Sequence, residues 1–378
     1  MKDYDLIIIT SYSFPIGLAS TNRITTYAKA IAKTHRVLLL SYADSSYITN
    51  GETYVKGSYD GIDYLYLRPR DPKKKTLLSK ISYRIITYLR FIYLLLFEYK
   101  TQSIISYFDS ISYTRLLYGI SRIRSIPIYR DITETYELYF KTKKERNRHK
   151  RIQSLYDGLI VLTEGIRDYF IGINDNTFLL PMGVDIARFE AITPVDNKYF
   201  FYCSGGVLER DGVLDAINGF LLFHSKNNNY KFKMATPINR DDEYHNKVMT
   251  LIKENPCLEY LGVVNSDVIP GLMMSATGLT VTPHYDYITK GFPTKLGEYL
   301  ASGKPVICTS IPSLKNSVPI DCCIMVEPNH PEQVAEAMSY IASHAEESKQ
   351  IGERGRSFVE SKYTVEPYLK DLKNFIQI

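Results

Sequence analysis

Short β-rich apolar runs alternate with helical patterns from one end of the chain to the other. This alternation is the feature that most limits the fold. Continuous apolar strands separated by helices imply parallel sheets with both faces covered. In the first half, strands are expected at Asp5–Ser11, Arg36–Tyr42, Asp63–Arg68, Ser103–Tyr107, Pro127–Ile132, Gly158–Leu162 and Thr177–Leu180. Helical spacing covers Ser20–Lys33, where Ile24, Tyr27, Ala28, Ile31 and Ala32 form one stripe, and the long stretch Thr76–Lys100.

Residues Ala191–Lys198 are polar, contain Pro194 and lack periodicity, so they read as a linker. The alternation then restarts. Strands are expected at Tyr199–Ser204, Tyr230–Ala235, Leu258–Val263, Gly278–Thr282, Pro305–Thr309 and Cys322–Val326. Helices are expected near Gly212–Leu222, Asp242–Lys253, Ser266–Ser275, Pro293–Ser302 and Pro331–His344, with two more at Glu346–Lys362 and Val365–Ile376. A chain of 378 residues has room for two such units. The expected division falls at this linker, after residue 190. Charge follows the division, because residues 1–190 carry a formal +9 and residues 191–378 a formal −4.

Other classes are disfavoured. The net charge of +5 is too mild to argue for nucleic acid. No run is apolar enough to span a bilayer, and the N-terminus reads as a buried strand rather than a signal peptide. The five cysteines, Cys203, Cys257, Cys308, Cys322 and Cys323, lack metal-ligand spacing and read as buried thiols of a cytosolic protein. Asp241-Asp242 reads as a solvated helix start, so no metal site is expected.

In open α/β sheets ligands bind beyond the carboxyl ends of the strands, which directs attention to four post-strand segments. In TKGFPTKLGEYLASGKPV, Pro293 suits the first helical position and Gly303 the position after the helix. The N-terminus of that helix favours anions; Lys295 lies in its first turn, and Glu298 could accept ribose hydroxyls. An ordinary amphipathic helix with surface charges is the plain alternative. In YFFYCSGGVLERDG, Gly205 and Gly206 permit close backbone approach, and Arg210 could clamp a phosphate oxygen; a tight turn is the alternative there. TSYSFPIGLASTNR follows the first strand, with Ser20 or Thr21 as helix cap. LPMGVDIARF reads as a structural hinge.

Taken in order, FPIGLASTNR, LPMGVDIARF, GGVLERDG and GFPTKLGEYLASGKPV resemble a family 4 glycosyltransferase of the GT-B fold across nearly the whole chain. The resemblance implies two doubly wound, Rossmann-like parallel-sheet domains facing a central cleft, 1–190 on the acceptor side and 191–362 on the donor side, with the C-terminal helix 363–378 crossing back to the first. It implies that Arg210 and Lys295 act on the donor diphosphate and Glu298 on the ribose. Gly17, Gly205, Gly206, Lys290, Gly291, Phe292, Pro293 and Thr294 would line the rest of the donor site. Asn22, Arg23, Asp131 and Glu134 would lie on the acceptor side. The implied reaction is transfer from a nucleotide sugar, UDP- or GDP-linked, with retained anomeric configuration and no metal. It also implies a saccharide or lipid-linked acceptor and a role in cell-surface polysaccharide synthesis. The sequence departs from the family pattern at Lys290, where relatives carry a glutamate, and at Gly206 and Asp211, where they carry Arg and Lys. A nucleotide-sugar epimerase of the same fold needs acid–base groups in the donor cleft, for which His284 is the one histidine placed at a strand end. A degenerate transferase acting as a membrane-associated assembly subunit is the non-enzymatic alternative.

The basic first half also suggests a surface. Lys73, Lys74 and Lys75 open a stretch in which Lys80, Arg84, Arg90 and Lys100 interleave with Ile85, Ile86, Leu89, Phe91, Ile92, Leu94, Leu95 and Phe97. It fits a helix lying on an anionic membrane, with Tyr83, Tyr88, Tyr93 and Tyr99 at the interface; a core helix with a snorkelling Arg90 is the alternative. The expected location is the cytoplasmic face of a membrane. Lys141–Arg151 is a second basic run, with a solvated helix face as its plain reading.

Overall fold

A computed structural model describes residues 1–17, 19–43, 55–67, 77–137, 139–190, 192–195, 197–238, 241–284, 294–315 and 317–378. The chain divides into two compact units, Met1–Gly183 with Val365–Ile378, and Val184–Thr364. The first boundary lies seven residues before the one expected from composition, because Ala187–Glu190 is helical and its side chains serve the second unit. The second boundary follows Thr364 rather than Lys362.

The first unit contains β1 (Lys2–Thr10), α1 (Ala19–Ala32), β2 (Val37–Ser41), β3 (Lys56–Tyr59), β4 (Ile62–Tyr66), α2 (Leu77–Tyr93), β5 (Tyr99–Tyr107) and α3 (Ile111–Arg124). It continues with β6 (Ile128–Ile132), α4 (Lys143–Arg151), β7 (Gly158–Val161), α5 (Glu164–Phe170) and β8 (Thr177–Leu179). The strand order is β3-β4-β2-β1-β5-β6-β7-β8, parallel apart from the β3–β4 pair. Leu6, Ile7, Ile8 and Ile9 of β1 are fully buried, as a central strand covered on both faces requires. Strand β3 was not legible in the sequence. It is an exposed edge hairpin closed by Asp60 and Gly61, both at positive φ, and KGSY has no apolar alternation.

The second unit contains α6 (Ala187–Glu190), β9 (Tyr199–Cys203), α7 (Val213–His224), β10 (Lys231–Ala235), α8 (Glu243–Glu254), β11 (Leu258–Tyr260), α9 (Ile269–Met274) and β12 (Gly278–Val281). There follow α10 (Thr294–Ala301), β13 (Val306–Thr309), α11 (Pro312–Lys315), β14 (Ile324–Val326), α12 (Pro331–Ser343) and α13 (Ala345–Lys362). Its strands are all parallel, in the order β11-β10-β9-β12-β13-β14. Asp242 caps α8 by accepting from the His245 backbone N–H at 2.9 Å, so Asp241-Asp242 is a helix start. All five cysteines are buried as free thiols.

The chain returns to the first unit after Thr364 through a 3₁₀ turn at Glu366–Tyr368 and α14 (Leu369–Phe375). Val365, Leu372 and Ile376 join the first unit's core, and Phe375 packs its ring on Tyr129 and Phe178. The expected helix Val365–Ile376 is therefore shorter and starts in a tighter turn.

The long helix expected at Thr76–Lys100 is also shorter. Helix α2 passes into a π turn at Leu94–Glu98, and β5 already begins at Tyr99. Tyr99 is buried against Tyr4, and Tyr88 stacks on Tyr113 of α3, so neither faces outward as expected. Phe91, Leu94 and Leu95 form the buried side of this segment. Its other side leaves Ile85, Ile86, Leu89, Tyr93 and Phe97 between 52% and 64% exposed. Arg90 donates to the Leu67 carbonyl at 3.1 Å. No helix among the described residues is long and apolar enough to cross a membrane. Lys73–Lys75 and the side chains of Lys80 and Tyr83 lie outside what is described.

Candidate functional site

Each sheet reverses its strand order once among the central strands, at β1/β5 in the first unit and β9/β12 in the second. The loops leaving the carboxyl ends there are the expected ligand positions.

In the second unit, β9 is followed by Ser204, Gly205 and Gly206 and a 3₁₀ turn at Glu209–Asp211 that presents Arg210 before α7. A Cβ on Gly205 or Gly206 would meet no atom within 4 Å, so packing does not demand glycine at either position. Gly212 is different. Its φ is +65°, and a Cβ there would fall 1.7 Å from the Thr282 carbonyl oxygen. That contact joins the two loops at the switch: Thr282 Oγ1 donates to the Gly212 carbonyl at 2.8 Å, and His284 N donates to the Arg210 carbonyl at 2.9 Å. His284 Nε2 lies 3.2 Å from Asp215 Oδ2. Burial pushes the Asp211 carboxyl up to about 6, against the opposing pull of Arg210.

Helix α10 is anchored beside β9 by Tyr299, whose hydroxyl accepts from Cys203 N at 2.6 Å. Glu298, on the same helix, is buried and holds two cations. Lys295 Nζ is 2.6 Å from its Oε2, and Arg188 donates to Oε1 at 2.9 Å. Arg188 is fixed in turn by donating to the Ser266 carbonyl at 2.9 Å. Burial alone would raise the Glu298 carboxyl, but Lys295 and Arg188 together outweigh it and hold it below the usual range. Burial lowers Lys295, yet Glu298 dominates and raises it. The α10 first turn is thus a preorganised cationic cluster balanced by one carboxylate. Arg188 lies in the segment expected to be only a hinge. A lone Arg at the end of LPMGVDIARF carries no local signal of a partner 110 residues away. Lys290, Gly291, Phe292 and Pro293 lie outside the described residues, as does the side chain of Thr294.

In the first unit, Gly17 sits over α1, where a Cβ would fall 2.0 Å from Thr21 Oγ1. Thr21 itself donates to the Ser13 carbonyl at 2.7 Å. Arg23 and Asp131 form a bidentate pair with side chains 4% and 0% exposed, and Arg23 also donates to the carbonyls of Leu180 and Pro181. Their functional groups are turned on each other, so they tie α1, β6 and the segment after β8 together. Asn22 lies one position earlier on α1, partly exposed. Glu134 is placed differently: with Tyr12, Asp109, Arg130 and Tyr139 it lines a cavity of about 20 Å³ at the β1/β5 edge. Arg130 pairs with Asp109 at 2.7 Å, and Tyr136 donates to the same oxygen.

Residues 198–344 match the family described as glycosyl transferases group 1. No curated protein matches the chain by sequence. Among solved structures, sucrose-phosphate synthase from Thermosynechococcus elongatus has a TM-score of 0.76 at 14% identity, over 99% of this chain and 98% of that one. Anabaena Alr3699/HepE in complex with UDP-glucose has a TM-score of 0.75 at 14% identity, over 98% and 99%. An α,α-trehalose-phosphate synthase (UDP-forming) from Burkholderia vietnamiensis has 0.69 at 11%, over 99% and 100%. The chain therefore has the α/β fold of the GT-B glycosyltransferases, two Rossmann-like parallel-sheet units, and its second unit carries the group 1 sequence match.

Proposed function

We propose that the chain is a retaining glycosyltransferase, a hexosyltransferase that moves a sugar from a UDP- or GDP-linked donor to a saccharide or lipid-linked acceptor. The Arg188–Glu298–Lys295 cluster at the head of α10, inside the family-matched segment, carries this reading. A nucleotide sugar leaves as a nucleoside diphosphate, and that charge must be neutralised as the glycosidic bond breaks. Lys295, Arg210 and the amino end of α10 supply fixed positive charge for it, the kind of preorganised electrostatics that dominates many rate enhancements. With these cations carrying the leaving group, the reaction proceeds without a metal. A carboxylate accepts about four hydrogen bonds, so Glu298 can brace its cations and also receive ribose hydroxyls. The UDP-bound HepE structures favour UDP over other bases.

The acceptor side is assigned to the first unit, where Glu134 and Tyr12 line the sheet-edge cavity. The exposed apolar stripe of α2 supports peripheral attachment to the cytoplasmic face of a membrane and a role in surface polysaccharide synthesis. Thermal-shift screening against UDP-, GDP-, ADP- and dTDP-sugars, followed by nucleotide release, tests the reading. Lys295→Ala is expected to lower release by about 100- to 1,000-fold with unchanged circular dichroism. Near-normal turnover of that variant would overturn the assignment, and retained activity in EDTA is expected.

A further inference from the structure

A second cavity, of about 500 Å³, opens on the first unit between α3 and α4. Lys144, Arg148 and Arg151 reach it from α4, and Arg115 from α3; no carboxylate lines it. The α4 residues recur at i, i+4 and i+7, so they share one stripe where like charges repel. Other residues of α4 are engaged elsewhere: His149 stacks on Phe140 and Lys150 lies over Tyr169. Among the described residues none of the four cations forms an ion pair. Carboxylates on adjoining segments are committed, Glu145 to its Thr142 cap and Asp109 to Arg130 and Tyr136. Four unneutralised cations, three of them guanidinium forks, suit a ligand with several phosphate oxygens.

The surroundings say which kind. Ile111, Ile152 and Leu155 give the cavity an apolar, half-buried side, which a free anion would not use. Beside Ile111, Ser112 Oγ lies 2.6 Å from the Tyr88 hydroxyl on α2, the helix whose far side exposes Ile85, Ile86 and Leu89. Next to Ile152, Gln153 donates to the Tyr136 hydroxyl, which donates to Asp109 of the sheet-edge cavity. Hydrogen bonds thus connect the helices that form the basic cavity to α2 and to Asp109 at the sheet edge.

We infer that this cavity binds the diphosphate of a lipid carrier, with the lipid against Ile111, Ile152 and Leu155. The inference rests on the transferase reading and names the acceptor of that same reaction as a lipid diphosphate. Its test uses the full-length chain and geranylgeranyl diphosphate in phosphatidylcholine nanodiscs, read by biolayer interferometry. The variant R148Q/R151Q changes only exposed side chains. It is expected to weaken binding at least tenfold, to leave binding to phosphatidylglycerol nanodiscs within threefold, and to keep the UDP-induced thermal shift. Equal binding by variant and wild type overturns the proposal. So does an equal loss on phosphatidylglycerol, which would make the cavity a general headgroup site, or inorganic pyrophosphate binding as tightly as the lipid. Lipid diphosphate binding without any nucleotide-sugar response would sink the transferase reading while leaving the site. A donor response without lipid binding would do the reverse.

Discussion

Replacing Glu298 by Gln isolates what holds the head of α10 together. The side chain keeps its shape but loses the charge shared by Lys295 at 2.6 Å and Arg188 at 2.9 Å. At an effective dielectric of 20, each contact of this kind is worth about 4 kcal/mol before desolvation is counted. Desolvating Glu298 offsets much of that gain, but its loss strands two cations facing one another. Breaking a buried pair in this way costs about 3–5 kcal/mol. At roughly 2–4 °C per kcal/mol for a unit of this size, the second unit's melting temperature should fall by about 10 °C. A chain of two units need not unfold in one step, so the readout should be local. Hydrogen exchange of peptides covering Thr294–Ala301 is expected to accelerate, and a cycle with Lys295→Met should return a coupling above ~1 kcal/mol. The pH dependence has a definite sign. Glu298 has a depressed folded-state pKa, so its contribution is present above the unfolded carboxylate range and is lost as pH falls through the lowered value. Wild type and E298Q should therefore converge in acid. A loss below ~0.5 kcal/mol at pH 7, or a gap that persists in acid, would refute this account of the cluster.

Asp211 should behave in the opposite sense. Its folded value near 6 lies above the unfolded one, so the second unit loses stability as pH rises from about 4 through 6, and Asp211→Asn removes that slope with a gain of at most ~3 kcal/mol at pH 8. Gly212→Ala has to resolve both a positive φ and an overlap with the Thr282 carbonyl, and should cost more than ~2 kcal/mol in thermal denaturation; a neutral result would contradict the loop geometry. Ile86→Ser, Leu89→Ser and Phe97→Ser combined should reduce liposome flotation at least 100-fold, since inserting each side chain is worth ~1.5–3 kcal/mol. Unchanged flotation would remove α2 from the membrane reading.

Local signals carried the architecture because strand and helix periodicities are properties of short windows. The runs at Leu6–Ile9 and Val37–Leu40 dictate buried strands wherever they occur, and Gly303, at φ +72°, ends α10 as its position after the helix suggested. The post-strand segments bearing Arg210, Lys295 and Glu298 could be located for the same reason. Pairing across the chain was not legible. Arg23 finds Asp131 108 residues away, and Arg188 finds Glu298 at 110, because the order of strands in each sheet brings together the helices and strands that carry them. The sequence of α2 contained apolar residues all round. Only packing against β5 and α3 decided that Phe91, Leu94 and Leu95 turn inward while Ile86, Leu89 and Phe97 face solvent. Sequence alone determined two parallel α/β units and where the segments after the carboxyl ends of their strands fall. Tertiary structure decided which charges meet and which apolar surface is left uncovered, since both depend on contacts between residues that no local window contains.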